Sequence, residues 1–564
     1  MATRTAGETR HVDFDPVTRV AGAGGLSFRT AIDVESCRVP DAFALATLYR
    51  GYEVILQGRD PRDAIFISSR ACGACGGVHS TASQLACEMA FGIQPPPMGI
   101  TTRNLLVALE YLWDRPTHLF ARVGPDFSEP VVRETNPEIW QQAQRTPAPG
   151  RGTHGYELIS HIMTALTPPA GHIYGEARDM SRRALEAYAL IGGKYPHPQT
   201  TVPGGVSTKI DTSDTNEILL RVTGFFDYAR KVVAIWDDIV EFFFLVEPRF
   251  REVGEGPRNF IDLGQWDDPF AYDGTFENAS AWAERRWSTP GAIVDGRLRT
   301  TDVLQVNRGV EEFVDHSFYE DWTRGGASGA GQDPFGNRLS AHHPSNKETI
   351  PEPGEADPRR KYSWSTAARW ERRPMETGAY AGLWMTAMSR AMPHRRFVEP
   401  TGDGLRLSIP QAEMPATVLE WRVPARWGAL ERNRAQAYAL AHATMVAYEN
   451  MLNAFDLQRK GGPDAGVSTS YKVPKDARQG TGLWGGVRGY LSHHMMLDRQ
   501  VIENYQIVGP STFTMSPHDA SGTPGPCEAA VMATPLLSTA NRERYIDVLR
   551  TIRSFDPCMT CATH

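Results

Sequence analysis

The chain has 564 residues, 41% of them hydrophobic, and 59 basic against 66 acidic side chains give a formal net charge of −7. Such a length can bury a large core, and with no basic tract the charge balance argues against nucleic acid or an anionic membrane as the main partner. Seven cysteines (Cys37, Cys72, Cys75, Cys87, Cys527, Cys558, Cys561) are too few for a disulfide scaffold, and their odd number fits a reducing compartment.

In chain order, the opening MATRTAGETRHVDFDP has no apolar stretch behind its arginines and does not read as a secretory signal, so any export falls to a partner. GLSFRTAIDVES alternates like a strand or hairpin. SSRACGACGGVHS (68–80) leads into GGVHSTASQLACEMAFG, which reads as a helix start and places Cys72 and Cys75 at a helix N-terminus. Apolar residues at three and four spacings predict helices over 103–120, 184–191, 217–246, 435–457 and 541–555. VVAIWDDIVEFFFLV within the third is interrupted by Asp237, Asp238 and Glu241, which predicts a buried core helix and not a membrane span.

GRGTHG (150–155) matches a dinucleotide-binding glycine pattern but follows TPAP where a strand is needed, so it reads as a turn. RLRTTDVLQV is a second strand candidate. From 323 to 361 Gly, Pro and polar residues without a period predict a long surface excursion, whose His342 and His343 read as ordinary exposed loop histidines. There is no internal repeat.

SFDPCMTCATH (554–564) carries a second CxxC pair, Cys558 and Cys561, after an amphipathic helix that Asp556-Pro557 ends. Each spacing lets two thiolates of one turn meet one metal ion. A zinc ribbon puts its pairs about 15 to 20 residues apart, whereas 483 positions separate Cys75 from Cys558. One site built from both pairs therefore ties the beginning of the chain to its end. Soft thiolates select nickel, copper(I), zinc or iron, and a helix N-terminus with Arg70 nearby favours anionic sulfur. Cys37, Cys87 and Cys527 read as small buried hydrophobes.

RACGACGGVH (70–79) and DPCMTCATH (556–564) resemble the two signature motifs of the nickel-iron hydrogenase large subunit. DPVTRVAG (15–22), YRGYEVILQGRDPRDA (49–64), GGKYPHP (192–198), KYSWSTAARW (361–370) and METG (375–378) resemble further blocks of that family in order, and the motif variants are most like the actinobacterial-type uptake enzymes. The resemblance implies a mainly α fold with minor β (α+β), its long helix bundle surrounding a buried bimetallic site. It implies one interlocked catalytic domain over 1–564, with strands over about 10–40, helical core over about 41–322 and 362–564, and the excursion between.

It further implies nickel on Cys72, Cys75, Cys558 and Cys561, with Cys75 and Cys561 shared with an iron that carries carbonyl and cyanide. Arg488 in GGVRGYL would hang over the open site, held by Asp114 and Asp556, while Ser511 in GPSTF bonds a cyanide. His79 would donate toward the bridging sulfur one turn back, and Cys558 would be a terminal ligand that can take a proton. Glu53, the Ile507 carbonyl and His564 would hold magnesium or iron, and a chain ending at His564 resembles the matured form. Where most relatives carry a proton-relaying glutamate this chain has Ala21, which leaves Arg488, Glu35, His118 and water as candidate carriers; Val487 replaces a usual proline.

The implied partner is a small subunit with the iron-sulfur clusters, in a higher-order assembly of heterodimers. The implied location is cytoplasmic, with membrane association only through partners, and oxygen tolerance would rest largely on the partner's clusters. A regulatory dihydrogen sensor with slow turnover is the alternative. A scaffold subunit akin to the quinone-binding chain of respiratory complex I is disfavoured, because such chains lack the cysteine pairs.

Overall fold

The computed structural model describes residues 9–17, 25–320, 331–389 and 395–563. An antiparallel sheet opens it: β1 (Thr9–Phe14), β2 (Leu26–Asp33) and β3 (Arg38–Ala46), in that order. The strand expected at GLSFRTAIDVES is therefore present as β2.

The first cysteine motif feeds α1 (Gly76–Phe91), which Gly92 ends in the left-handed conformation at φ 65°. α1 is buried almost all round, because β4 (Arg478–Gly486) runs directly against it. Gly480 and Gly482 permit this approach: an added Cβ at either would collide with the carbonyl oxygen of Ala86 or Ala82 on the helix. Alanines one turn apart on the helix meet alternate glycines on the strand, so backbone packs on backbone.

The helix α2 (Pro97–Pro116) starts on Pro97 and continues beyond Pro116 as a widened π turn, Thr117–Val123. Proline cannot supply its amide to the helical ladder, and the ladder reorganises around it. α3 (His172–Gly192) packs on α2. The segment expected as one helix over 217–246 is two, α4 (Thr212–Thr223) and α5 (Phe225–Val246), because Gly224 interrupts it. α5 is the buried core helix expected, and its buried Asp238 accepts from the Gly150 amide at 2.9 Å and lies 2.9 Å from His154 Nε2. GRGTHG is a single helical turn, Arg151–His154, closed by Gly155.

RLRTTDVLQV is only half strand: Arg297–Thr300 is extended, then Asp302 caps the helix Val303–Arg308 by accepting from the Leu304 amide. α6 (Ala429–Lys460) lies across α2. β5 (Gly489–Asp498) and β6 (Val501–Val508) complete an antiparallel sheet with β4, and the second motif follows α7 (Ile546–Ser554) as the short α8 (Met559–Ala562).

The helical core also carries sheet, since β4–β6 and another antiparallel sheet over 398–422 lie within it. One expectation needs correction. The polar stretch 323–361 is not simply a surface excursion: 321–330 lie outside the described residues, but His343 and Lys347 beyond them are fully buried. His343 accepts from the Ser345 amide and its Nε2 lies 3.1 Å from the Asn307 carbonyl, a structural cap and not an exposed histidine. Lys347 is inside because Glu312 pairs with it. One apolar core runs from Leu56 to Cys561 and takes in all four motif cysteines. A second underlies β1–β3 and α7.

Candidate metal centre

The short helix Asp63–Ser69 ends just before Cys72, and Cys75 caps α1. The amides of Ala74 and Cys75 donate to Cys72 Sγ at 3.3 and 3.0 Å, which favours negative charge on that sulfur. At the other end α7 stops, Asp556 takes a left-handed φ of 50° before Pro557, and the chain doubles back. The Cys558 amide then donates to Ser511 Oγ at 2.8 Å, leaving the hydroxyl proton of Ser511 to point elsewhere.

The two pairs meet. Cys72 Sγ is 3.2 Å from Cys558 Sγ, Cys75 Sγ is 2.8 Å from Cys561 Sγ, and Cys558 and Cys561 are 3.1 Å apart. Cys72 Sγ and Cys75 Sγ are likewise side by side. All four sulfurs lie within 4.8 Å of one another and all four residues are buried. Arg50 fastens the two loops together: its guanidinium donates to the Arg70 and Ala71 carbonyls of one motif and, at 2.7 Å, to the Thr560 carbonyl of the other.

Arg488, at the tight turn between β4 and β5, faces this cluster. Its Nη2 is 2.8 Å from Asp114 Oδ1, and its Nε lies 3.2 Å from the Asp556 carbonyl and 3.3 Å from Asp556 Oδ2. Its Nη1 is buried and has no hydrogen-bond partner among the described residues. Asp114 is shared with Arg115 and, at 3.1 Å, Arg122; Asp556 with Arg115 at 2.6 Å, Arg122 at 3.2 Å and His118 Nδ1 at 3.0 Å. The π turn after Pro116 brings His118 and Arg122 to the carboxylates.

Burial pushes the Asp556 carboxyl up, but Arg488, His118 and Arg115 outweigh it and hold it well below the usual carboxylate range. Burial likewise opposes charge on Arg488, and Asp114, Asp556 and the two C-terminal sulfurs outweigh it. Burial lowers His118 more than Asp556 raises it. In the second pair the thiol contact from Cys561, with Arg488 assisting against burial, lowers Cys558 to about 6, while burial first and then the neighbouring sulfur raise Cys561. One sulfur of this pair is thus the favoured thiolate.

The remaining expected residues divide. His79 is buried one turn beyond Cys75, its Nδ1 3.1 Å from His493 Nε2, and His493 continues to Tyr505 at 2.7 Å. Glu53 is buried in the short helix Tyr52–Leu56, which leads into a loop joined to β6 by Gly58 N–H to Ile502 O at 2.8 Å; Ile507 lies further along that strand. His564 and Ala21 lie outside the described residues. Glu35 is exposed on the β2–β3 turn, away from the buried cluster, and Val487 is buried. Cys87 and Cys527 are buried as expected, but Cys37 is only half-buried. Arg50, Glu110, Arg115 and Arg122 escaped the sequence reading. Arg115 and Arg122 were detectable by their spacing around Asp114; Arg50 sits in a motif block without a distinguishing pattern.

Four buried soft donors, an arginine with an unused N–H beside them and a serine hydroxyl at the Cys558 amide form a cradle suited to a thiolate-ligated metal carrying small polar ligands. The family described as nickel-dependent hydrogenase matches residues 50–145 and 169–564. The chain belongs to that family. It has the large-subunit fold of the nickel-iron enzymes and is an oxidoreductase. An actinobacterial-type NiFe-hydrogenase from Ralstonia eutropha H16 superposes with a TM-score of 0.95 at 36% identity, covering 98% of this chain and 100% of that one. The uptake hydrogenase large subunit of Rhizobium leguminosarum is 29% identical over 98% of this chain and 95% of its own. The periplasmic [NiFeSe] hydrogenase large subunit of Desulfomicrobium baculatum is 28% identical over 100% and 96%. Among the described residues no helix is long and apolar enough to cross a membrane.

Proposed function

We propose that this chain is the catalytic subunit of an uptake hydrogenase, which oxidises dihydrogen to protons and passes the electrons to a small subunit bearing iron-sulfur clusters. The observation that carries this reading is the meeting of four buried sulfurs from opposite ends of the chain beneath an arginine with a free N–H. The uptake role is supported by the relatives of that name, and the small subunit by their description as large subunits.

Cys72 and Cys558 would be terminal on nickel, and Cys75 and Cys561 shared with an iron bearing carbonyl and cyanide. When bound, such a pair polarises dihydrogen toward heterolytic cleavage and takes up its electrons. The chain supplies the surroundings. Arg488 keeps a fixed positive charge over the sulfurs because Asp114 and Asp556 anchor the other edge of its guanidinium. Ser511, whose oxygen already accepts from the Cys558 amide, has its proton left for a cyanide nitrogen. His79, oriented by His493, would donate toward Cys75, and Cys558, as a terminal sulfur, would take a proton. Glu53, the Ile507 carbonyl and His564 would hold a magnesium ion at the C-terminus. We place the assembly in the cytoplasm, with any membrane association made through partners.

The test is metal analysis and infrared spectroscopy of the purified complex. Nickel and iron together, carbonyl and cyanide stretches, and rapid dye reduction under dihydrogen are expected. Zinc alone without those stretches would overturn the reading, and the stretches with negligible dye reduction would leave the sensor in its place.

A further inference from the structure

The arginine–aspartate cluster holds three guanidinium groups against two carboxylates, so Asp114 and Asp556 are locked as anions and are poor proton acceptors. Burial lowers the His118 imidazole below its ordinary value, against the pull of Asp556. One more acid enters the same pocket. Glu110 lies on α2 one turn before Asp114 and is fully buried. Neither of its carboxyl oxygens has a standard hydrogen-bond partner among the described residues, although the carboxyl faces the Gly77 and Val78 amides at the start of α1.

The room for it comes from Gly77, two residues beyond Cys75. A Cβ there would collide with both Glu110 Oε2 and the Tyr188 hydroxyl of α3, so acid and phenol share the space that a side chain would fill. The Tyr188 hydroxyl is also buried and unpartnered among the described residues. Its ring meets that of Tyr195 edge-on at 5.1 Å, and Tyr195, half-buried in the loop after α3, donates to the Ala74 carbonyl at 2.5 Å. The charged and titratable groups around Glu110 are thus Asp114 on its own helix, Arg488 from the β4–β5 turn, Tyr188 of α3 and Tyr195 of the following loop. Burial, reinforced by Asp114 and opposed by Arg488, holds the carboxyl well above the usual range. A buried acid with no ion pair costs stability and adds no packing that an apolar residue would lack.

Resting on the hydrogenase reading above, we infer that Glu110 is the proton-relay residue of the centre, taking protons from the cysteine and Arg488 side and passing them outward past the Tyr188 hydroxyl. Each dihydrogen yields two protons and two electrons. The electrons leave through the centre to the oxidised small subunit. Glu110 works twice per turnover: its carboxylate forms an O–H bond with a proton released by a sulfur donor as that S–H bond breaks, and the new bond breaks in turn when the proton moves on toward water.

The experiment compares the parent complex with Glu110→Gln, Glu110→Asp and Tyr188→Phe. Two quantities are read: dye reduction under dihydrogen, and the infrared C=O stretch of a protonated carboxyl that shifts in D2O, recorded with the metals and on the metal-free chain. Glu110→Gln is expected to slow turnover about a hundredfold, to keep its nickel and its carbonyl and cyanide bands, and to lose the carboxyl stretch. Glu110→Asp should recover part of the rate with a displaced stretch, and Tyr188→Phe should move the Glu110 band. Turnover of Glu110→Gln near the parent's, or an unchanged carboxyl stretch in it, overturns the proposal. If Glu110→Gln does not fold, a Tyr188→Phe protein with parental band and rate overturns it instead. A parent without nickel and without carbonyl or cyanide bands would sink the hydrogenase reading and the relay with it, whereas failure of the relay alone leaves those bands in place.

Discussion

The helices α1 and α2 carry two buried charge clusters, and they differ in what is left over. In one, Arg103 reaches Glu88 at 2.9 Å and Asp267 at 3.0 Å, Asp267 also holds Arg286 at 2.8 Å, and Tyr272 donates to Glu88 at 2.7 Å. Two guanidinium groups face two carboxylates, every carboxylate oxygen is occupied, and of the two guanidinium groups only Arg103 Nε lacks a partner among the described residues. In the other, three arginines face Asp114 and Asp556, while Arg488 Nη1, Arg115 Nε and both oxygens of Glu110 have no hydrogen-bond partner among the described residues. Desolvating a charge costs several kcal/mol unless partners satisfy it. A closed network is therefore a structural joint, and an open one, beside four sulfurs, is a place prepared for something else.

The comparison can be tested from both sides. Replacing Cys75 or Cys561 by serine should abolish nickel retention and dihydrogen-dependent dye reduction, because a hard hydroxyl cannot replace a soft thiolate; elemental analysis of the purified complex reads this directly. Arg488→Lys should keep nickel but lower dye reduction about 10²-fold, the usual loss for one preorganised donor, since an ammonium cannot span Asp114 and Asp556 as the planar fork does. In the closed network Arg103→Met strands Glu88 and Asp267 in the core. It should cost about 3–5 kcal/mol in denaturant unfolding with unchanged turnover per folded molecule, and comparable loss of turnover would mean that the two clusters do not divide as argued.

A pH-dependent effect belongs to Asp262, a buried acid outside both clusters whose Oδ1 accepts from the Gly264 amide at 2.6 Å. Burial pushes it up to about 7. The folded chain then binds the proton more tightly than the unfolded one, so its contribution is whole below the ordinary aspartate value of ~3.9 and is lost as pH rises through about 7. Unfolding midpoints measured across that window should fall with pH, and Asp262→Asn should flatten the slope.

Much of this arrangement was legible in the residues. The helical spacing of 103–120 and 435–457 marked α2 and α6, and the two CxxC pairs announced a shared centre. The sheet β4–β6 was not legible, because RQGTGLWGG is buried on both faces and shows no alternation; its glycines answer to helix α1 nearly 400 positions earlier. Lys347 and His343 read as loop residues because the Glu312 and Asn307 partners that let them be buried come from a different segment. Glu110 looked like one more polar position on an amphipathic helix, and only the missing side chain of Gly77 makes its pocket.

The sequence by itself determined the ligand chemistry: soft sulfur in two turns, an arginine between glycines, and acids placed one helical turn apart, all set by covalent spacing and side-chain type. Which of these groups face one another was decided by the tertiary structure. A contact between Cys75 and Cys561 depends on the packing of α1, β4 and α7 together, and the charge state of each buried acid depends on how many guanidinium groups the rest of the fold brings to it. Desolvation and Coulomb energy are properties of a neighbourhood, and a neighbourhood exists only after the chain has closed on itself.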